Sequence, residues 1–425
     1  MPSFISPDDV PGLLAPGMTV FVAGGANEPV TVLDALRRRP AASAGVTWIQ
    51  SIVPALNRFD FCSLHDETRA IAFFITPETR ASYRAGRIDF VPCQLRAVAD
   101  LLGEGLDLDL AILSVSAPRD GGPAEDAADF GAGLNCDFVD VVVDRARRVV
   151  AEVNAALPDP LDGPRIEARG IDFAVPVSRP PDPFPLPEPD ETARAIARNV
   201  AGLIRDGDTI QTGIGSIPYA VLGALGEKND LGLHSGILDD GVMDLVERGV
   251  ITGARKSIDR GRHVTAYAIG SPALYAWLGE RADVRFRPVN YTHGAGTLAR
   301  IDRFVSINSA LEIDLGGQVN AEMIRGTQVT GTGGSVDFMR GAAGSPGGRS
   351  IVALGATAAR GKVSRLVPRL GDGNAPTALR TDVDYVVTEH GVADLRHRPE
   401  RARAAALAEI AAPAFRDALR GAGHP

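Results

Sequence analysis

Short apolar runs separated by amphipathic stretches recur along the chain. GVTWIQSIV, IDFVP, LDLAILSVS, VDVVVD, RRVVAEVN, VITGA, FVSINS, SIVALG and VDYVVTE read as strands. Helical stretches separate many of them, and this alternation predicts mostly parallel α/β sheets. In open parallel sheets, sites form beyond the carboxyl ends of the strands. Loops at such ends are therefore the first places to look for chemistry.

The clearest break is 176-PVSRPPDPFPLPEP-189, in which seven of fourteen residues are Pro. Proline fixes φ and removes a donor, so the segment reads as an extended, stiff connector. A helix is predicted just after it, capped by Asp190, with Ile196, Val200, Leu203 and Ile204 on one face. The flanking halves resemble each other. Both 17-GMTVFVAGGANEPVTVLDAL-36 and 207-GDTIQTGIGSIPYAVLGAL-225 run Gly-x-Thr, short strand, Gly-rich turn, Pro, then Val-Leu-x-Ala-Leu. This weak repeat predicts two related α/β domains, 1–175 and 190–425, joined by the linker 176–189.

Several loops carry candidate chemistry, each with a plainer reading beside it. The turn 213-GIGSIP-218 suits an anion at a helix N-terminus, or is simply a strand-to-helix turn. It lacks the full G-x-G-x-x-G spacing and an acidic partner about twenty residues on, which argues against a dinucleotide. In 24-GGANEP-29, Glu28 either caps the next helix or faces a ligand. The stretch 331-GTGGSVDF-338, followed by 344-GSPGGRS-350, offers backbone N–H donors for a phosphate or an oxyanion. Lys362, Arg365 and Arg369 then either pair with phosphates or lie on the surface. Glu389 and His390 are an acid/base pair or a capping Glu beside an exposed His. The loop 233-LHSGILDDG-241 concentrates His234, Ser235, Asp239 and Asp240.

Composition narrows the classes. The 425 residues are 45% hydrophobic, enough for sizeable cores. The net charge of -9, with no Lys/Arg block, argues against nucleic-acid and membrane-surface partners. Cys62, Cys93 and Cys136 are an odd, scattered set, neither a disulfide framework nor a metal site, and no residue pattern requires a metal. The N-terminus lacks a basic region followed by an apolar core, and no apolar run approaches membrane-spanning length. The expectation is a soluble, cytoplasmic protein.

Taken in order, GGANEP, GIGSIP, GLHS…DDGVMDLVERGVITG, SINSALEIDLGGQVNAE, GTGGSVDFMRGAAGSPGGRS, GKVSRLVP and TDVDYVVTEHGVADLR form a specific set. The chain resembles the acetyl-CoA hydrolase/transferase family, which includes 4-hydroxybutyrate CoA-transferase-like enzymes, over nearly its whole length. The resemblance implies two related, open, mostly parallel α/β domains of the CoA-transferase type, with an acyl-CoA thioester bound in an interdomain cleft. It implies that Gly213, Ile214, Gly215, Ser216 and Ile217, with Gly331, Gly333, Gly334 and Lys362, contact coenzyme A, which is part of the substrate rather than a permanent cofactor. It also implies a homodimer or homotetramer.

In the family's transferases a Glu in the His-Ser/Thr-Glu motif attacks the acyl-CoA carbonyl and ends as a glutamyl-CoA thioester. The matching position here is Gly236, whereas His234, Ser235, Asp240 and Gly241 match. Glycine has no side chain to attack anything. The first expectation is therefore water-dependent hydrolysis or C–C cleavage. Asp239, Asp240, Glu28 or Glu389 would be the base, and the Gly331–Gly334 backbone the oxyanion hole. A transferase using another carboxylate such as Asp239 ranks second, and a non-catalytic acyl-CoA-binding protein third. The space left by the missing Glu points to a larger or cyclic acyl group. Segment 118–138 departs from the loop that faces the acyl pocket in the family, which implies a different substrate choice.

Overall fold

The structure is a computed structural model describing residues 1–186 and 188–422. The chain divides into two compact units. One is Met1–Pro185 with Thr265–Tyr291, and the other is Leu186–Val264 with Thr292–Pro425.

The first unit is built on strands β1 (Ser3–Phe4), β2 (Thr19–Val22), β3 (Thr47–Gln50), β4 (Arg69–Ala72), β5 (Ile88–Phe90), β6 (Leu110–Ser116), β7 (Val149–Asn154) and β8 (Phe173–Val177). They lie in the order β1-β8-β7-β6-β2-β3-β4-β5, each pair parallel. Both faces of this sheet are buried. Val20, Val22, Leu110, Ile112 and Val150 pack with Val32, Leu33 and Leu36 of helix α1 (Val30–Arg38). Phe21, Ala111, Leu113, Val115 and Ala151 form a core on the opposite face with Val98, Leu102 and Phe138. Burial on both faces explains why the strands read as apolar runs without alternation.

The second unit repeats this plan. Strands β9 (Thr209–Thr212), β10 (Gly232–Leu233), β11 (Phe304–Ser309), β12 (Arg349–Ala353) and β13 (Tyr385–Thr388) are parallel in the order β10-β9-β11-β12-β13, and β14 (Gly391–Asp394) closes the edge antiparallel to β13. The helix after the connector runs Glu191–Ala201, with Asp190 accepting the Ala193 N–H at 2.8 Å. Ile196 and Val200 are buried on it, and Leu203 and Ile204 lie beyond its end. The two repeated segments place β2 and β9 at equivalent interior positions. In both sheets the chain first adds strands on one side and then crosses to the other. The resulting switch points, β2/β6 and β9/β11, are where open α/β sheets bind ligands.

Four expectations need correction. The division into contiguous domains misses the return of Thr265–Tyr291 to the first unit. That return consists of bonds between segments far apart in sequence. Cys136 N–H donates to the Ala266 carbonyl and Val289 N–H to the Asp137 carbonyl, while Arg285 and Arg287 both pair with Asp162. Pro176 and Val177 belong to β8, paired with Val153 and Asn154, rather than to the linker. VDVVVD is not a strand but helix α2 (Val139–Arg145), since packing of Val142 and its neighbours under the sheet overrides their β preference. VITGA supplies only an isolated bridge, Ile251 with Leu231.

Candidate active site

In the second unit, the turn after β9 ends at Gly215, whose φ of +126° is accessible to glycine, and helix α3 (Ser216–Ala224) starts there. No side chain caps this helix, so its leading N–H groups point into the loop. Gly213 to Ile217 are all partly exposed. Buried Gln211 and Asn308 hydrogen-bond each other across β9 and β11 just below the turn.

The 233–241 loop is fixed against this strand end. Ser235 Oγ donates to the Thr212 carbonyl at 3.1 Å. His234 is fully buried and bonds the Thr292 carbonyl through Nε2 at 3.0 Å. A carbonyl only accepts, so Nε2 carries the proton. Burial, aided by Lys256, lowers the His234 pKa to about 3 and keeps the ring neutral. Asp239 is the N-cap of helix α4 (Asp240–Glu247), accepting the Val242 N–H at 3.1 Å. Burial raises its pKa to about 6. Asp240 is partly exposed in the first helical turn.

The residue that joins this loop to the Gly331–Gly334 turn is one that sequence reasoning did not single out. His293 follows a short helical segment and is 3% exposed. A Cβ placed on Gly236 would meet its Cε1 at 2.9 Å and its Nε2 at 3.0 Å. A Cβ placed on Gly334 would overlap Nε2 and Cδ2 of the same ring. The edge of the imidazole thus fits between two residues that lack side chains. Phe338 packs against the ring with centroids 4.4 Å apart, and Nδ1 lies 2.8 Å from Thr292 Oγ1. Burial, with His234 nearby, lowers the His293 pKa to about 3.

Gly334 is the N-cap of helix α5 (Ser335–Gly344), which also lacks a side-chain cap, and Gly333 has φ +60°. The Gly-rich turn is anchored by Glu322, only 6% exposed. Its carboxylate accepts from Gln328 Nε2 at 2.7 Å, Thr377 Oγ1 at 2.8 Å and Thr332 Oγ1 at 3.4 Å. Nothing in the sequence distinguished Glu322 from a surface acid, because its partners come from three separate segments.

The other expected residues sit on different elements. Glu389 accepts the Ala356 N–H at 2.8 Å and ties the ends of β12 and β13, with His390 Nε2 3.7 Å from it. Lys362 is exposed in a tight turn. Glu28 belongs to the first unit, where Gln50 Nε2 donates to it at 2.8 Å, and burial raises its pKa. Close by, Gly24, Asn27, Ser51, Ser114, Asn135 and Asp137 line a small cavity at the β2/β6 switch point. Asp137 is 4% exposed, and burial raises its pKa to about 8. Among the described residues no cluster of His, Cys, Asp and Glu is placed to hold a metal, and no helix is long and apolar enough to cross a membrane.

Comparison with known proteins agrees with this architecture. Residues 2–175 match the acetyl-CoA hydrolase/transferase N-terminal domain, and residues 270–422 match the C-terminal domain. The chain is 37% identical over 401 residues to a 4-hydroxybutyrate coenzyme A transferase of Clostridium kluyveri, covering 94% of this chain and 92% of the relative. The structure superposes on RipA from Yersinia pestis with a TM-score of 0.90 and 32% identity, over 99% of this chain and 96% of that one. It superposes on a 4-hydroxybutyrate CoA-transferase from Porphyromonas gingivalis with a TM-score of 0.82 and 33% identity, again over 99% and 96%. The chain belongs to the acetyl-CoA hydrolase/transferase family.

Proposed function

We propose that the protein acts on an acyl-CoA thioester with water as the acceptor, by hydrolysis or C–C cleavage, and not through a covalent enzyme–CoA intermediate. The observation that carries this reading is at Gly236. The position matched to the family's nucleophile has no side chain, and the His293 imidazole stands where one would project. In hydrolysis, a water oxygen attacks the thioester carbonyl carbon and gives its proton to a carboxylate base. The C–S bond then breaks, and the thiolate regains a proton. Asp239, with its pKa near 6, is ionised at neutral pH and serves as this base, or Asp240 beside it does. The uncapped helix starts at Gly213–Ile217 and Gly331–Gly334 offer N–H donors to coenzyme A and to the developing oxyanion. His234, neutral and bonded to the Thr292 carbonyl, holds the 292–293 turn in place.

Two of the named relatives are 4-hydroxybutyrate CoA-transferases, which favours a second reading, transfer through Asp239. Asp239 lies three positions beyond Gly236 and its side chain is shorter than the family's Glu, which counts against it as a nucleophile. The test is release of free CoA from a panel of acyl-CoAs, with and without acetate. Release without acetate supports hydrolysis. Release only with acetate, abolished by Asp239→Asn, supports transfer.

A further inference from the structure

Resting on the acyl-CoA reading above, we propose that His293 is a catalytic residue that binds the thioester carbonyl oxygen through Nε2–H, completing an oxyanion site with the backbone N–H groups that follow Gly333 and Gly334. The geometry carries this assignment. The ring is buried, held at Nδ1 by Thr292 Oγ1 and on one face by Phe338. We take the tautomer in which the hydroxyl donates to Nδ1 and the neutral ring carries its proton on Nε2. That atom is the part of the ring that meets the empty Cβ positions of Gly236 and Gly334. It therefore borders both the loop matched to the family's nucleophile and the start of helix α5, whose N–H groups have no side-chain cap. Among the described residues, the ring's hydrogen bond is the one at Nδ1. A ring nitrogen outside that bond, on a residue only 3% exposed and beside an uncapped helix start, is suited to an oxygen supplied by the substrate. Glycine at 236 and 334 is what lets the ring approach.

No proton is transferred in this role. Nε2–H remains bonded to nitrogen while the carbonyl oxygen gains negative charge, and it relaxes when the C–S bond breaks and the carbonyl re-forms. A neutral imidazole suits a donor of this kind, because it is not required to take up a proton in turnover. The role holds whether water or a carboxylate attacks.

The test compares acetyl-CoA with S-ethyl-CoA, a thioether lacking the carbonyl, on wild type, His293→Leu and His293→Gln. The Leu variant removes the donor with little change in bulk, whereas Gln keeps an N–H at a similar reach but cannot relay a proton. Expected are a kcat/KM for the thioester about 100-fold lower in the Leu variant, partial recovery in the Gln variant, and loss of the preference for thioester over thioether in Leu alone. An unchanged preference in a folded Leu variant would overturn the proposal. Should neither variant fold, wild type labelled with 15N-histidine gives the answer. A His293 Nε2–H resonance that shifts with acetyl-CoA and not with S-ethyl-CoA supports the proposal, and equal shifts refute it. A wild type that turned over none of the acyl-CoA panel would remove the hydrolase reading, yet the two affinities and the resonance would still report on His293.

Discussion

The imidazole of His293 occupies the direction in which residue 236 would project a side chain, with Nε2 only 3.0 Å from the ideal Cβ position. A methyl group there forces the ring to shift against Phe338 and Gly334. Overpacking of this kind costs about 1–3 kcal/mol. Gly236→Ala is therefore expected to lower stability by that amount in urea unfolding. Combining it with His293→Ala should recover part of the loss, seen as a favourable coupling in a double-mutant cycle. Strict additivity of the two changes would mean that the residues do not share this space.

Glu322 holds the Gly-rich turn through Gln328, Thr332 and Thr377. Glu322→Ala removes the acceptor these three groups share, Gln328 Nε2 keeping its bond to the Thr330 carbonyl, at about 1–3 kcal/mol. The turn should loosen, so turnover should fall further than stability alone explains. Kinetics on protein shown to be fully folded, together with hydrogen exchange across residues 328–336, checks this. Protected amides and full activity in the variant would contradict it.

Much of the fold was legible because parallel strands buried on both faces must be apolar runs. The equivalence of β2 and β9 was visible in their shared Gly-x-Thr and Val-Leu-x-Ala-Leu spacing. Asp190 was readable as a cap because capping is local. VDVVVD was misread because tertiary packing, not intrinsic preference, decides its state. The return of Thr265–Tyr291 and the placing of His293 depend on contacts between distant segments, which leave no period or spacing. The absence of a side chain at Gly236 was plain in the sequence, but what fills the space was not.

Asp137 makes stability depend on pH. Burial raises its pKa from 3.8 to about 8. Between those values the folded chain holds a proton that the unfolded chain has lost, so stability falls as pH rises through that window. His234 and His293, with pKa values near 3 in place of 6.5, act oppositely, and their contribution is lost as pH falls below about 6.5. Asp137→Asn removes the first effect. The gap in Tm between variant and wild type should shift in favour of the variant between pH 5 and pH 8.5. A constant gap would contradict the burial argument.

In the second unit, Arg349 pairs with Asp208, which is 0% exposed, and also donates to the Leu203 carbonyl. Removing one partner leaves the other charge buried. Arg349→Met should cost about 3–5 kcal/mol, and an Arg349→Met/Asp208→Leu pair should restore much of it. Chemical denaturation of the three variants measures this, and a single substitution costing less than the double one would be the contrary result.

The most direct test of the central claim is the intact mass of the wild-type chain after incubation with a turned-over acyl-CoA and no acceptor acid. Direct attack by water predicts release of CoA while the protein mass stays unchanged at every time point. A chain that gains the mass of CoA less one water would show that an enzyme carboxylate has become a thioester, and that transfer survives without a side chain at residue 236.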